Sequence, residues 1–326
     1  MRPSSRALSV HGGKGATHAE AKLGALLEAV ESDAAECFDA DGPTCRYDEL
    51  PPRERPPSLR DVASDGQPPD GRHRWVEAER LDGAGRLFLP FDLVSLDFTR
   101  NLPSPFDRAS NGVATAVTRT AAVAVALHEL IERDAVTELR AAGLIACTAA
   151  TLRLDTVPFD WLAAWRDRFA RERILVRFHR APSVTGTPVF VCELNDFAKE
   201  AAPYRAVWGQ GAHPSPEIAL WKALAEALQA RATFIAGARD DLPPSAYRGG
   251  GGAAVAFGLP PPPGMAGVEW AEIAPGPVGE AALVEALARA GFRHVAAIDL
   301  AQVEGFRIVR AFACGLGSFV RRRRAP

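Results

Sequence analysis

Three segments of the chain repeat one arrangement of acids. Residues 25–32 read ALLEAVES, 126–134 read ALHELIERD and 223–231 read ALAEALQAR, so the pattern Ala-Leu-x-Glu-x-x-(Glu/Gln) recurs at three separate places. On a helix, residues three apart are neighbours, and two carboxylates there repel by roughly a few tenths of a kcal/mol even in water. The second segment is the sharpest case. Glu129 and Glu132 share a stripe with Val125 and Val136, and Ala121 to Ile131 is apolar apart from His128 and Glu129. A helix that apolar is expected to be buried, and a buried carboxylate needs a cation beside it. A shared divalent cation answers all three segments at once. Oxygen donors without a His or Cys cluster suit magnesium rather than zinc. Magnesium held by a few carboxylates usually comes with a phosphate-bearing substrate, which points to ATP. The competing reading makes each pair the solvated edge of an amphipathic helix; on pattern alone the two stand level.

Positive groups lie near these acids. Arg133 directly follows Glu132, Arg231 lies two residues after Gln229, and Arg239 opens the run RDD. Guanidinium forks match phosphate oxygens, although each arginine taken singly also reads as a surface residue or an ion-pair partner. GGKG at 12–15 sets Lys14 and several backbone amides just ahead of a helix, an arrangement able to meet a phosphate. It is not a Walker A loop, because position 8 is Leu and Gly15 stands where Ser or Thr is required. His213, in GAHPSP, has two readings: a catalytic base, or a structural residue ahead of a helix cap.

Composition narrows the field. The chain has 326 residues, 47% hydrophobic and 24% charged, with a net charge of −2. These are globular values, and no basic excess argues for nucleic acid as the main partner. The run Arg321 to Arg324 reads as a solvated end. No segment approaches the ~20 apolar residues of a membrane span, and the first residues have no apolar signal-peptide core. The five cysteines, Cys37, Cys45, Cys147, Cys192 and Cys314, show no CxxC or Cys/His ligand spacing. They read as reduced packing residues of a cytoplasmic protein.

The elements that must hold the acids follow from local signals. SVHGGKGATHAEAKLG reads as strand, glycine loop and helix, with Thr17 to Glu20 as a capping box. Residues 38–72, rich in Pro, Asp, Gly and Arg, read as a long loop, and residues 245–266 as a second one around GGGG and PPPP. Residues 85–100 suggest one or two strands. Ser110-Asn111-Gly112 is a turn, followed by a helix from Thr120 to Ala141. RILVRFHRAP and GTPVFVCELND form a hairpin. Ser215 is the expected N-cap, with Pro216 at the first helical position. GEAALVEALARAG is a helix ended by Gly291, and HVAAIDLA and FRIVRAFA are the last two strands. The fold class is α+β with a sizeable sheet, and no internal domain boundary is marked, so residues 1–326 read as a single domain.

SVHGGKGATHAEAKLGALLEAVE, SNGVATAVTRTAAVAVALHELIERDA and GQGAHPSPEIALWKALAEALQARATFIAGARDD resemble, in order and spacing, the three core motif blocks of the YcaO proteins. HVAAIDLAQVEGFRIVRAFACGLG resembles that family's C-terminal end, so the resemblance covers most of the chain. It implies an α+β fold of mixed and antiparallel sheets packed with helices that binds ATP without a P-loop, and magnesium held by carboxylates from several helices. Its better-known members phosphorylate a peptide backbone amide oxygen. Attack by Cys, Ser or Thr then gives an azoline ring; attack by sulfide gives a thioamide. Carried over by motif, the resemblance assigns Glu28, Glu31, Glu129, Glu132 and Glu226 to magnesium, and Lys14, Asn111, Arg133, Gln229, Arg231 and Arg239 to the nucleotide. It also implies a peptide or protein substrate, a partner of the TfuA type or a peptide-recognition protein, and a homodimer.

The sequence departs from the family's usual form in three places. Lys14 comes almost at the start, whereas relatives carry a longer stretch before the loop; either Met1 is not the true start or the first elements are lost. The chain ends SFVRRRRAP, without the Pro-x-Pro-x-Pro tail of many azoline formers, and CGLG at 314–317 stands where many relatives have Pro-Gly-Leu-Glu. No fused peptide-recognition domain is expected from these motifs, so a partner is expected to supply that function. An accessory protein of the same fold, such as a factor for ribosomal-protein methylthiolation, is therefore a second reading. An unrelated globular protein with amphipathic helices is a third.

Overall fold

The computed structural model describes residues 5–7, 10–59, 69–100, 103–196, 206–237 and 267–316. The chain forms two compact units. The first takes residues up to His11, Lys22–Asp134 and the chain from Pro277 onward; the second takes Gly12–Ala21 and Ala135–Gly276. The chain passes between them inside two long helices, α1 (His18–Cys37) and α3 (Arg119–Ala141).

The first unit is built on antiparallel strands β1 (Thr44–Arg46), β2 (Arg72–Arg80), β3 (Arg86–Pro90), β4 (Val113–Ala116), β8 (Val295–Val303) and β9 (Phe306–Ala313). They form one six-stranded sheet in the order β1-β2-β8-β9-β4, with β3 also paired to β2. Val76, Ala78, Leu87, Leu89, Ala296 and Ile298 alternate inward and close on Phe38 and Phe91, as period-2 patterning requires of a half-buried sheet. The short helix α2 (Phe91–Val94) follows β3 directly, and α7 (Gly279–Arg289) precedes β8. At the head of α1, the Glu20 amide donates to Thr17 Oγ1 at 3.2 Å and the Thr17 amide donates to Glu20 Oε2 at 3.2 Å. This reciprocal pair is the expected capping box.

The second unit is built on a three-stranded antiparallel sheet, β5 (Ile174–Arg180), β6 (Val189–Asp196) and β7 (Ala206–Ala212). Helices α4 (Leu144–Ala149) and α5 (Asp160–Arg171) precede it, and α6 (Pro216–Ala236) follows. Helix α6 lies directly on β7. A Cβ at Gly209 would fall 2.1 Å from the Ala227 nitrogen, and one at Gly211 would fall 2.4 Å from the Ala219 oxygen. Ala219, Ala223 and Ala227 present the matching small residues on the helix, all fully buried. Strand and helix therefore meet backbone to backbone, which fixes the height and rotation of α6. Ser215 caps the helix through its hydroxyl, Pro216 opens it, and Gly237 ends it at φ 60°.

Most expected elements are present: the 174–196 hairpin, α3, α6, the Gly291 stop and the final strand pair. Several differ. Residues 10–15 are irregular rather than a strand before the glycine loop. Residues 91–94 are helical rather than strand. The stretch 38–72 is not wholly loop: Thr44–Arg46 pairs with β2, setting Thr44 opposite Arg74. Polar residues suit such an edge strand, which is why composition hid it. Residues 60–68, 245–266 and the Arg321–Arg324 run lie outside the described residues. Strand β7 carries no alternation to read, because its glycines serve helix contact instead.

Gly209→Val should lower the unfolding free energy by about 3 kcal/mol, since neither backbone can give way. Urea denaturation followed by circular dichroism measures it; a loss under about 1 kcal/mol would show that the helix tolerates standing off the strand.

Candidate functional site

Within the first unit, α1 supplies Glu28 and Glu31 and α3 supplies Glu129, Glu132 and Arg133. Glu132 is buried, with only 5% of its surface exposed. Burial pushes the Glu31 carboxyl up to about 7, and the charges of Glu129 and Glu28 add to the shift, while the Thr115 side chain and amide act against it. Glu28, Glu31 and Glu129 therefore form one electrostatic group, although they come from separate helices. The expectation that α3 is buried all round holds only in part: Val123, Ala126, Leu127 and Ile131 are buried, while Val125 is 49% exposed.

Glu129 is tied to the turn that carries Asn111. Its Oε2 accepts the Gly112 amide at 3.2 Å, and its Oε1 accepts from Arg133 Nη2 at 3.4 Å, one helical turn on. Gly112 sits at φ +79°, and a Cβ there would fall 2.6 Å from the Ala311 oxygen. Only glycine fits this place. The Val113 amide closes the turn on the Ser110 oxygen at 3.1 Å.

Within the second unit, the glycine loop meets α6. Lys14 Nζ donates to Glu226 Oε2 at 2.6 Å, both side chains being partly exposed. The Gln229 side chain lies over Gly12, where an added Cβ would come within 2.6 Å of its Nε2. Arg231 is held by Asp196 at the end of β6, with Nη2 to Oδ2 at 2.7 Å. The close seat of α6 on Gly209 and Gly211 orders this row, because Gly209 packs against the Glu226–Ala227 peptide itself. His213 Nδ1 accepts the Ser215 amide at 3.0 Å, which fixes the turn into α6. Burial and the nearby Lys222 charge lower its pKa, so the ring is neutral near pH 7. With Nδ1 accepting, the neutral ring carries its proton on Nε2, which is therefore a donor, and the basic nitrogen is the one already engaged by Ser215. Arg239 lies outside the described residues.

Sequence reasoning missed three participants. Thr115 faces Glu31 from β4, and Asp196 partners Arg231. Arg310, only 2% exposed, sits in β9 among Ile308, Val309 and Ala311, all fully buried. The second arginine of the otherwise apolar run FRIVRAFA, three residues after Arg307, was the available signal for it.

Among the described residues, no three His, Cys, Asp or Glu side chains already stand as a metal-ligand set. Magnesium does not need one: it is commonly held by one or two carboxylates plus phosphate oxygens and water. The donor chemistry fits. Glu31, raised by burial and further by two neighbouring carboxylates, is the kind of group a divalent cation would relieve. Within the first unit Arg133, and within the second Lys14 and Arg231, are positive groups suited to phosphate oxygens.

The profile of the YcaO family, described as YcaO cyclodehydratase, ATP- and Mg2+-binding, matches residues 12–317. An uncharacterised protein in the tfuA 3′ region of Rhizobium leguminosarum bv. trifolii is 31% identical over 259 residues, covering 76% of this chain. The chain spans 60% of that relative's length. Among solved structures, a heterocyclase in complex with substrate and cofactor superposes with a TM-score of 0.77 at 21% identity, covering 94% of this chain and 45% of the other. The YcaO protein of Methanopyrus kandleri, bound with AMPPCP and Mg2+, gives 0.69 at 23% identity, covering 95% and 79%. These likenesses bear out the α+β fold of antiparallel sheets and helices. Together with the family match, they show that the chain belongs to the YcaO family.

Proposed function

We propose that this chain is an ATP- and magnesium-dependent peptide-modifying enzyme that activates a backbone amide oxygen by phosphorylation. The observation that carries the reading is the carboxylate group of Glu28, Glu31 and Glu129, in which burial first, and then the charges of Glu129 and Glu28, raise Glu31. Glu28, Glu31, Glu129, Glu132 and Glu226 would hold magnesium. Lys14, Asn111, Arg133, Gln229, Arg231 and Arg239 would orient the nucleotide. When bound, ATP supplies the phosphoryl group and magnesium neutralises its oxygens. The chain's own part is positioning: α1 and α3 present the acids, and the seat of α6 holds Glu226 and Gln229 in register.

The nucleophile that completes the reaction is open between a side chain, giving an azoline, and sulfide, giving a thioamide. The relative encoded in the tfuA 3′ region favours the second, with a TfuA-type partner to present the peptide. A homodimer and a cytoplasmic setting complete the proposal. The accessory reading, with the same fold and little turnover, is separated from it by peptide-dependent ADP release in the partner's presence.

Calorimetric titration with ATP, with and without magnesium, tests the nucleotide site. Binding should be magnesium-dependent, and Glu129→Ala should abolish that dependence while the far-ultraviolet spectrum stays native. Unchanged affinity in the mutant would remove Glu129 from the site.

Glu31 gives a second prediction, in pH. Its folded pKa, about 7, lies above the ordinary value of 4.5, so between the two the folded state holds a proton that the unfolded state has released. That contribution is present at low pH and is lost as pH rises through about 7, a change of at most about 3 kcal/mol. Magnesium-free protein should therefore lose stability between pH 5 and 7.5 (, roughly that window), and Glu31→Gln should flatten the slope. Equal slopes in urea denaturation would show that Glu31 is not the strained acid.

A further inference from the structure

Arg310 stands among the largest fully buried side chains of the described residues, on a strand far in sequence from every acid assigned above. Its guanidinium reaches two backbone carbonyls. Nη1 donates to the Val94 oxygen at 2.9 Å, and Nη2 donates to the Ala109 oxygen. The guanidinium carbon lies 5.3 Å from the centre of the Phe312 ring. Burying an arginine is costly unless its charge and donors are answered. Here Nη1 and Nη2 find carbonyls while the buried Nε finds no hydrogen-bond partner among the described residues, and the charges of Glu129 and Asp107 act against the burial that lowers its pKa to about 10.

The position of those contacts matters. Ala109 is the residue just before the Ser110-Asn111-Gly112 turn. The next residue of β9, Ala311, donates its amide to the Gly112 oxygen at 2.8 Å. Gly112 in turn donates its own amide to Glu129. In register, Arg310 stands opposite Val113 at the start of β4. Strand β9 thus grips the turn at both ends, by the Arg310 side chain before it and by the Ala311 backbone after it.

We propose that Arg310 is a positioning residue of the nucleotide site, through which strand β9 clamps the Ser110-Asn111-Gly112 turn and thereby sets Glu129 for the magnesium of magnesium ATP. The proposal rests on the magnesium-ATP reading. It differs from a general packing role in one respect. A displaced Glu129 weakens the part of ATP binding that needs magnesium and spares the part that does not.

The test uses the full chain with Arg310→Met, which keeps most of the volume, and Arg310→Lys, which keeps the charge but reaches one carbonyl instead of two. ATP is titrated over a range of magnesium concentrations. In Arg310→Met the magnesium requirement should rise about tenfold or more, the usual effect of losing a group that orients a metal ligand, with ATP affinity in chelator unchanged. Arg310→Lys should fall between it and the wild type. Equal magnesium requirement in a folded Arg310→Met, or an equal loss with and without magnesium, would overturn the proposal. If Arg310→Met does not fold, Arg310→Lys decides by the same titration. Hydrogen exchange at the Gly112 amide separates the two readings. If the wild-type chain binds no magnesium ATP, the nucleotide reading fails. Faster Gly112 exchange in Arg310→Lys would then still uphold the clamp, and unchanged exchange would overturn it.

Discussion

Like charges held close together in a half-buried place are the constraint around which the first unit is arranged. Glu28, Glu31 and Glu129 would relax apart if their backbones were free, since each raises the cost of ionising its neighbour. They are kept together because long helices hold them. Helix α1 is pinned at its start by the Thr17–Glu20 box and near its end by Ala34 and Ala35, buried against Leu96, Val113 and Ile308. Helix α3 is anchored by its buried row of Val123, Leu127 and Ile131. Packing free energy is thus set against the desolvation of Glu31 and, to a smaller extent, the charges of Glu129 and Glu28, and the balance leaves Glu31 with a raised pKa. Such a group is destabilising until a cation arrives, which makes it more informative about function than a satisfied salt bridge.

The second unit solves a different problem, that of placing a helix without using large side chains. Gly209 and Gly211 remove two Cβ atoms from β7, and Ala219, Ala223 and Ala227 remove bulk from α6. The contact that results is between backbones, so it varies little with rotamer changes. Glu226 projects from the helix at this contact and takes its position from it. Its bond to Lys14 then brings the glycine loop to the same row. The exposed ion pair itself contributes little to stability; what it provides is a set direction for both side chains.

The legible part of the fold was the part with local signals. The Thr17–Glu20 box, the Ser215-Pro216 start, the Gly291 stop and the 174–196 hairpin each follow from a few neighbouring residues, and each is present. Strand β7 was hidden because Ala-Val-Trp-Gly-Gln-Gly-Ala answers to the helix lying on it rather than to an alternating pattern. Strand β1 was hidden because an edge of three polar-flanked residues looks like loop. The acids of the candidate site stood out in the sequence because charge repetition at helical spacing is itself abnormal. Their supports were not. Asp196, Thr115 and Arg310 act through contacts far apart in sequence, and no local pattern marks them.

On the proposed reading, a chain without a P-loop draws its positive and metal-held charge from side chains, and side chains need more scaffolding than backbone amides do. A glycine-rich loop at a helix start offers several N–H groups already aligned by the chain. Each carboxylate or guanidinium here instead needs its own support: Gly112 for Glu129, Asp196 for Arg231, and the Gly209 contact for Glu226. Substitutions at these supports would alter charge placement without altering any charge. The glycines are therefore as much a part of the site as the acids, and at Gly112 the reason is direct. A Cβ there would push against the Ala311 carbonyl in a backbone region that other residues rarely adopt, and the amide that Glu129 accepts would move with it.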